Sequence, residues 1–244
     1  MENTTFLTLK KNAKKNMNDL KEYKVAIIAD CSTQHLATAI RGYGFQEGYD
    51  LNIFDSDYNQ IDSQIMDDNS ELYEHKPDSV LIYMSSEKLY ENFCNTPLEN
   101  RENFAEIMLQ KINNYWQTLN SKIKTNILQF NFIEIDDRIF GNYANKTPSS
   151  FIYQLRKINY KLMECASANK NIFLIDLNTI QNMYGRELVH DDKLYYIAKM
   201  PLSTNILPEV AKQILDIIKA LNGKFKKCVI LDLDNTLWGG VIRR

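Results

Sequence analysis

Two aspartates near the end of the sequence have the spacing of a site that handles phosphate. Asp232 and Asp234 follow the apolar run CVIL, and Thr236 comes two residues later. Carboxylates this close repel each other, and a divalent cation such as Mg²⁺ beside a phosphate relieves that repulsion. In such an arrangement the first carboxylate can attack phosphorus and the second can protonate the leaving oxygen. The stretch is therefore a candidate for metal-dependent phosphate chemistry.

A second candidate site follows the first apolar run of the chain. The stretch ADCST places Cys31 and Ser32 between a strand end and a helix start, where the helix dipole favours a thiolate or an oxyanion. A nucleophile there needs a base, and His190 lies beyond the last core strand with Glu187 three residues before it. Hydrolysis by Cys31 or Ser32 with His190 and Glu187 is one hypothesis. In the other, Cys31 is a small buried residue, Ser32 or Thr33 caps the helix, and His190 is a loop residue.

The elements that position these residues alternate between two patterns. Short runs rich in β-branched residues alternate with segments whose apolar residues recur at helical spacing. The predicted strands cover residues 24–30, 50–57, 78–86, 124–132 and 171–177. This alternation implies parallel strands joined by crossover helices, and the near-continuous apolar strands suit a sheet covered on both faces. The sequence thus predicts an α/β fold with three α/β/α layers and a mostly parallel five-stranded sheet.

In an open parallel sheet, ligands bind outside the carboxyl ends of the strands. The residues that follow the predicted strands are accordingly candidates for substrate binding. They are Asp30, Thr33, Ser85, Ser86 and Asn131.

The arrangement resembles the SGNH, or GDSL-type, hydrolases. Residues 29–33 resemble the family's Gly-Asp-Ser-x-Ser/Thr block, with Cys31 where the family has its serine. Residues 187–190 resemble its Asp-x-x-His block, with Glu187 in place of the aspartate. The family's Gly-x-Asn-Asp block has no counterpart, because MSSEKLY follows the third strand. Loss of such an oxyanion donor costs a large factor in rate, so the resemblance also fits a pocket that only binds an acyl or carrier group.

The C-terminal stretch resembles motif I of the haloacid dehalogenase (HAD) phosphatases, Asp-x-Asp-x-Thr/Val. The longer string DLDNTLWGG resembles FkbH-like proteins in particular, as do STQHLATAIRGYG, SELYEHKPDSVLIYMSSEKLY and LYYIAKMPLS. FkbH-like proteins carry an SGNH-like domain ahead of a HAD domain. The resemblance therefore implies an SGNH-like, flavodoxin-like domain over residues 1–223 with a basic N-terminal helix. Residues 224–244 are then a linker and the first strand of a HAD domain.

What the resemblance implies about function is more specific. FkbH-like proteins resemble enzymes that remove phosphate from a phosphorylated three-carbon acid and load a glyceryl unit onto an acyl carrier protein, in polyketide, lipid or saccharide biosynthesis. Asp232 is then the nucleophile and Asp234 the general acid, and Asp232 with the Asp234 carbonyl holds Mg²⁺. The later HAD motifs have no counterpart in the 244 residues. We therefore expect no HAD activity from this chain alone. A non-catalytic docking module and a Cys/Ser-His-Glu esterase or thioesterase are the alternatives.

Composition excludes several other classes. A formal charge of -2 and a pI near 6.0 argue against a nucleic-acid-binding protein. No apolar run is long enough for a membrane span, and the N-terminus lacks the apolar core of a signal peptide. The four cysteines are scattered without metal-binding spacing. We expect a cytoplasmic protein with reduced thiols, acting on a phosphorylated or acyl small molecule and binding neither nucleic acid nor membrane.

Overall fold

The computed structural model describes residues 4–15 and 19–224, so the predicted metal ligands Asp232 and Asp234 lie outside the described residues. Five strands form one sheet: β1 Lys21–Ala29, β2 Tyr49–Asp55, β3 Ser79–Tyr83, β4 Asn126–Phe130 and β5 Ile172–Ile175. The first six helices are α1 Phe6–Asn12, α2 Gln34–Gln46, α3 Ile61–Met66, α4 Glu71–His75, α5 Ser86–Asn95 and α6 Phe104–Lys122. The others are α7 Phe151–Ser167, α8 Leu177–Tyr184, α9 Arg186–Val189, α10 Asp192–Ala198 and α11 Leu207–Leu221. Two 3₁₀ turns, Leu98–Asn103 and Gly141–Lys146, complete the connections.

All strand pairs in the sheet are parallel, and their order is β2-β1-β3-β4-β5. The predicted α/β class with a parallel five-stranded sheet is confirmed. β1 lies between β2 and β3, since Val25 is opposite Ile53 of β2 and Ser79 of β3. Every strand therefore ends at the same edge, which we call the carboxyl edge. The opposite edge, where the strands begin, is the amino edge.

Alternation along β1 divides the core between the two faces of the sheet. Val25 and Ile27 belong to a cluster with α1, α2, α8 and α11. Ala26 and Ile28 belong to a second cluster with helices α3 to α7. All four side chains are fully buried, because a strand between two helical layers has no solvent-facing side. This is the three-layer arrangement that the apolar strands predict.

Local sequence explains where several helices begin and end. Ser85 and Ser150 cap α5 and α7 with their hydroxyl oxygens, which accept the backbone N–H groups of Lys88 and Tyr153. The segment predicted to be helical in parts before Pro77 contains α3 and α4, and α4 ends at the left-handed residue Lys76. Over the described ranges, no helix combines the length and the apolar character needed to cross a bilayer.

Candidate functional site

Asp30 is the first residue after β1 and lies between the carboxyl ends of β1 and β3. Its carboxylate Oδ1 accepts the backbone N–H of Ser85 at 2.7 Å, and its own N–H donates to the Tyr83 carbonyl at 3.1 Å. Burial raises the pKa of Asp30 to about 7, and the hydrogen bond from Ser85 opposes that rise. This carboxyl group therefore titrates near neutral pH, although its contacts are those of a residue that ties two strands together.

Cys31 does not have the environment of a reactive thiol. Its side chain is 2% exposed, within the cluster that packs against α2 and α11. Burial raises the pKa of the Cys31 thiol well above its ordinary value, and the neighbouring carboxyl groups of Asp30, Glu87 and Asp55 raise it further. Since the thiolate is the nucleophile, a thiol held protonated among carboxylates is chemically inert.

Ser32 is half-buried, and its backbone N–H is already engaged. It donates to the carbonyl of Lys199 at 2.9 Å, and Lys199 has the left-handed φ of 55° that ends α10. Met200, Pro201 and Leu202 follow, and they line the small depression that also contains Ser32 and His35. The amide that would stabilise an oxyanion beside Ser32 is thus occupied by the chain itself.

His190 lies buried at this edge, between two carboxylates. Its Nε2 is 2.9 Å from Asp192 Oδ1, and its Nδ1 is 3.2 Å from Glu87 Oε1. The Glu87 contact has an ionic distance but not the alignment of a hydrogen bond. Among the hydrogen bonds of residues 4–15 and 19–224, none joins His190 to the side chain of Cys31 or Ser32. Both ring nitrogens of His190 therefore lie closest to carboxylates and not to a candidate nucleophile among the described residues.

Glu187 does not lie behind His190 as the Asp-x-x-His resemblance predicts. It is exposed on α9, and within the described part of the chain the carboxylates within 4 Å of His190 belong to Glu87 and Asp192. The short helix α9 instead places Glu187 at the solvent-exposed surface. Glu87 directly follows Ser86 at the end of the third strand, so its position in the sequence was a usable signal.

The residues predicted to bind substrate make structural contacts instead. Asn131 donates through Nδ2 to Asp176 Oδ1 at 2.7 Å, which supports the start of α8, and the hydroxyl of Thr33 donates to Asp55. Ser85 caps α5 and Ser86 is buried in its first turn. These side chains lie at the carboxyl edge, and the polar groups of Asp30, Thr33, Ser85 and Asn131 make hydrogen bonds within the protein.

Metal binding was predicted only for Asp232 and Asp234, and that prediction stays untested by the described residues. Within those residues, no group of three or more His, Cys, Asp or Glu side chains is placed to hold a metal ion. The carboxylates around His190 are therefore not arranged as a metal centre.

Residues 24–219 match the N-terminal domain of FkbH. The chain belongs to the FkbH family. The resemblance found in the motifs is thereby confirmed. The match covers β1 from its fourth residue, the other four strands, helices α2 to α10 and most of α11.

A solved relative of this FkbH-family chain comes from Bacteroides fragilis. It is the N-terminal part of the protein BF1531, which contains a phosphatase domain and was crystallised in complex with Mg. The two are 39% identical with a TM-score of 0.90, over 98% of this chain and 62% of that one. The FkbH-family chain described here thus spans less than two thirds of that protein's length.

More distant structures share the fold of the FkbH N-terminal domain. The family 3 carbohydrate esterase of Clostridium thermocellum is 16% identical with a TM-score of 0.51, over 82% of this chain and 99% of that one. The lipase/acylhydrolase of Enterococcus faecalis is 15% identical with a TM-score of 0.50, over 82% of this chain and 96% of that one. These likenesses establish the architecture alone. No curated protein matches the sequence.

Proposed function

We propose that this chain is the N-terminal portion of an FkbH-type phosphatase and acyl (glyceryl) transferase that works with an acyl carrier protein. In this proposal residues 24–219 are a binding and docking module that performs no hydrolysis. The phosphatase chemistry belongs to the domain that begins with Asp232 and Asp234. The family match and the likeness to a phosphatase-domain protein support the placement of this chain within such an enzyme.

One observation carries the assignment of a binding module. Within the part of the chain that the structure describes, the carboxyl edge lacks a linked nucleophile and base: Cys31 is buried, the Ser32 amide is bonded to Lys199, and both nitrogens of His190 face carboxylates. An esterase of this fold needs a nucleophile within hydrogen-bond reach of its base and a free oxyanion donor. These contacts favour the docking module over the esterase or thioesterase.

Magnesium enters the proposal through the two aspartates of motif I. Asp232 and the Asp234 carbonyl are the groups that would hold Mg²⁺, by resemblance to HAD phosphatases. A carboxylate and a backbone carbonyl supply hard oxygen ligands of the kind that Mg²⁺ prefers. The bound ion would neutralise charge on the phosphate under attack.

The proposal predicts that the purified chain does not hydrolyse esters. With p-nitrophenyl acetate and with an acetyl thioester, we expect rates equal to those of buffer, because the nucleophile and base are not joined. The measurement is initial rate by absorbance, for the wild-type chain and for His190→Ala and Ser32→Ala. Circular dichroism establishes that each variant is folded. Turnover by the wild type that either substitution abolishes would show a working hydrolase and contradict the docking module.

A further inference from the structure

One segment of the carboxyl edge is hardly packed against the rest of the domain. Residues 191–199, which comprise α10 and one residue on each side, contain no buried side chain. Two of their large apolar side chains, Tyr196 and Ile197, are 82% and 70% exposed. Burial of an apolar face is what holds a surface helix in place, so a segment without it is among the first to open. We call residues 191–199 the strap.

The two ends of the strap, in contrast, are anchored. His190 and Leu202 pair as an antiparallel bridge, and the Ser203 N–H donates to the Val189 carbonyl at 2.9 Å. Pro201 is buried, as is Leu202. Because its ends are held side by side, the strap can move away from the domain without disturbing the sheet. Anchored ends and an unpacked middle are the features of a lid.

The strap crosses the carboxyl ends of β1 and β3. Its Lys199 carbonyl accepts the N–H of Ser32, which follows β1. Near its other end, Asp192 Oδ1 is 2.9 Å from Nε2 of His190, whose ring lies beside Glu87 after β3. Within residues 4–15 and 19–224, these two contacts are the hydrogen bonds and ion pairs that join the strap to the rest of the domain.

The ends of β1 and β3 are the place where this sheet forms a crevice. In the order β2-β1-β3-β4-β5, the chain leaves β1 toward β2 on one side, and β3 lies on the other side. The helices that follow, α2 and α5, pack on opposite faces of the sheet and so diverge. Ligands of open α/β sheets bind at such a switch point. We call it the β1–β3 crevice.

In the closed arrangement the β1–β3 crevice has no room for a ligand. The depression between Ser32 and residues 200–202 has a volume of only about 10 Å³, the space of a single water molecule. The strap also takes up the Ser32 N–H, because the Lys199 carbonyl is its acceptor. Lys199 has a φ of 55°, a left-handed conformation that is unfavourable for a residue with a Cβ. Entry of a ligand therefore requires the strap to move.

We infer that the strap is a lid over the β1–β3 crevice and opens while the sheet stays folded. Opening breaks the hydrogen bond between Ser32 and Lys199 and the contact between Asp192 and His190. It returns the Ser32 N–H to the crevice as a donor for a ligand oxygen. This gating goes beyond the proposed function, since it depends on neither a carrier protein nor the phosphatase domain.

Amide hydrogen exchange tests the lid, because two neighbouring amides have acceptors on different elements. Ser32 donates to Lys199 of the strap, whereas Asp30 donates to Tyr83 of β3 and is the matched control. The isotope-labelled 244-residue chain is followed by two-dimensional NMR at increasing urea concentration. We expect Ser32 to exchange by an opening that is insensitive to urea, and Asp30 to be protected at least about tenfold more and to follow global unfolding.

The amide of Lys199 reports on the strap itself. It donates to the Tyr195 carbonyl within the strap, and a helix this short is not stable once it is detached. Lys199 and Ser32 should therefore share one free energy of opening. Equal protection of Ser32 and Asp30 would mean that the strap opens only on global unfolding. Fast exchange of Asp30 would mean that the whole loop after β1 frays, and a slow Ser32 beside a fast Lys199 would mean that the strap unfolds in place; each of these results overturns the lid.

A substitution on the strap provides a second measurement. Asp192→Ala removes the contact with His190, and we expect Ser32 to exchange about threefold faster while Asp30 is unchanged. Lys193→Ala is the matched control on the same helix, since Lys193 is also exposed and makes no ion pair in the described part of the chain. It should leave both rates as they are. A Ser32 rate that Asp192→Ala does not raise, or that both variants raise equally, would contradict the closed lid held at His190.

Discussion

Asp30 matches a position of a hydrolase motif, but in this protein its carboxylate makes a structural contact. It occupies the place of the aspartate in the Gly-Asp-Ser block, and its carboxylate accepts the Ser85 amide rather than a substrate group. Next to it, Cys31 stands at the serine position of that block and is buried. A carboxyl group and a thiol so placed favour their neutral forms, because burial disfavours the charged ones. The contacts of Asp30 therefore connect the ends of β1 and β3 and do not form a catalytic site.

The protonation of Asp30 makes a prediction about stability. Its folded-state pKa of about 7 is above the ordinary value of 3.8, so between these pH values only the folded chain holds the proton. The resulting stabilisation is complete below about pH 4 and is lost as pH rises through 7. In Asp30→Asn this dependence disappears. From pH 5 to pH 8 we expect the wild type to lose about 2 kcal/mol more free energy of unfolding than the variant.

Urea unfolding at pH 5 and pH 8 measures how much the free energy of unfolding of each protein changes between the two pH values. Comparing these changes cancels any effect of the substitution that is the same at both pH values. The amide of the new side chain keeps an oxygen for the Ser85 N–H. Asp57→Asn removes an exposed carboxylate from the same edge and should keep the wild-type slope. If Asp30→Asn also keeps that slope, Asp30 is already ionised in the folded protein at pH 5.

At the scale of elements, the contact between α1 and α2 depends on a glycine. A Cβ added at Gly42 would lie 2.1 Å from the carbonyl oxygen of Leu9, whose side chain is fully buried. Only glycine allows the two helix backbones to approach so closely. The FkbH match begins at residue 24, yet α1 before it contributes Leu9 to the core cluster. The packed unit therefore begins earlier than the matched segment.

Gly42→Ala should reverse the usual effect of such a substitution. Alanine in a helix normally stabilises it by about 1 kcal/mol relative to glycine, whereas here α1 must move and we expect a net loss of about 1–3 kcal/mol. Urea unfolding provides the measurement. Gly44→Ala in the same helix is the comparison, since its Cβ meets the Leu51 side chain, which moves more easily than a backbone, and the loss should be smaller. An unchanged or increased stability of Gly42→Ala would exclude the close approach.

Elements were more predictable from the sequence than the contacts between them. Each predicted strand overlaps an observed one, because runs of buried β-branched residues have few other ways to fold. The predicted strand 124–132 shortens to Asn126–Phe130, since Asn131 turns its side chain to Asp176. The partner of His190 was assigned by proximity in sequence, to Glu187. Its actual neighbour Glu87 comes from the start of α5, and only the docking of separate elements brings them together.

The docking of separate elements also explains which contacts of the site could not be predicted from the sequence. The bond from the Ser32 amide to the Lys199 carbonyl joins the first and last loops of the carboxyl edge. No local pattern signals it, because backbone carbonyls are present at every residue. The cavity of about 890 Å³ at the amino edge is also a product of assembly, formed where the end of α6 and the end of α11 leave space between them. The sequence identifies residues with reactive or polar side chains, but it does not show whether they are buried or already hydrogen-bonded in the fold.

At the scale of the whole molecule, one sheet separates two helical layers and contributes side chains to the core of each. Trp116 lies in the cluster with α3 to α7, and its Nε1 donates to Gln129 of β4 at 3.2 Å. Ile214 lies in the other cluster, on α11, and is fully buried. The two side chains are on opposite faces of the sheet, yet every central strand contributes to both clusters. Loss of packing on one face of the sheet should therefore lower the unfolding midpoint of the helices on the other face as well.

Ile214→Ala tests this coupling in a Trp238→Phe background, which leaves Trp116 as the sole tryptophan. Truncation of a buried isoleucine costs about 2–5 kcal/mol, and we expect the urea midpoint to fall equally by Trp116 fluorescence and by far-ultraviolet circular dichroism. Ile107→Ala, on an exposed position of α6, should shift neither midpoint appreciably. Were fluorescence to keep its original midpoint while circular dichroism changed, the two layers would unfold separately. Coincident shifts mean that a partner bound at either edge of the sheet stabilises the whole domain, because both edges belong to the same folding unit.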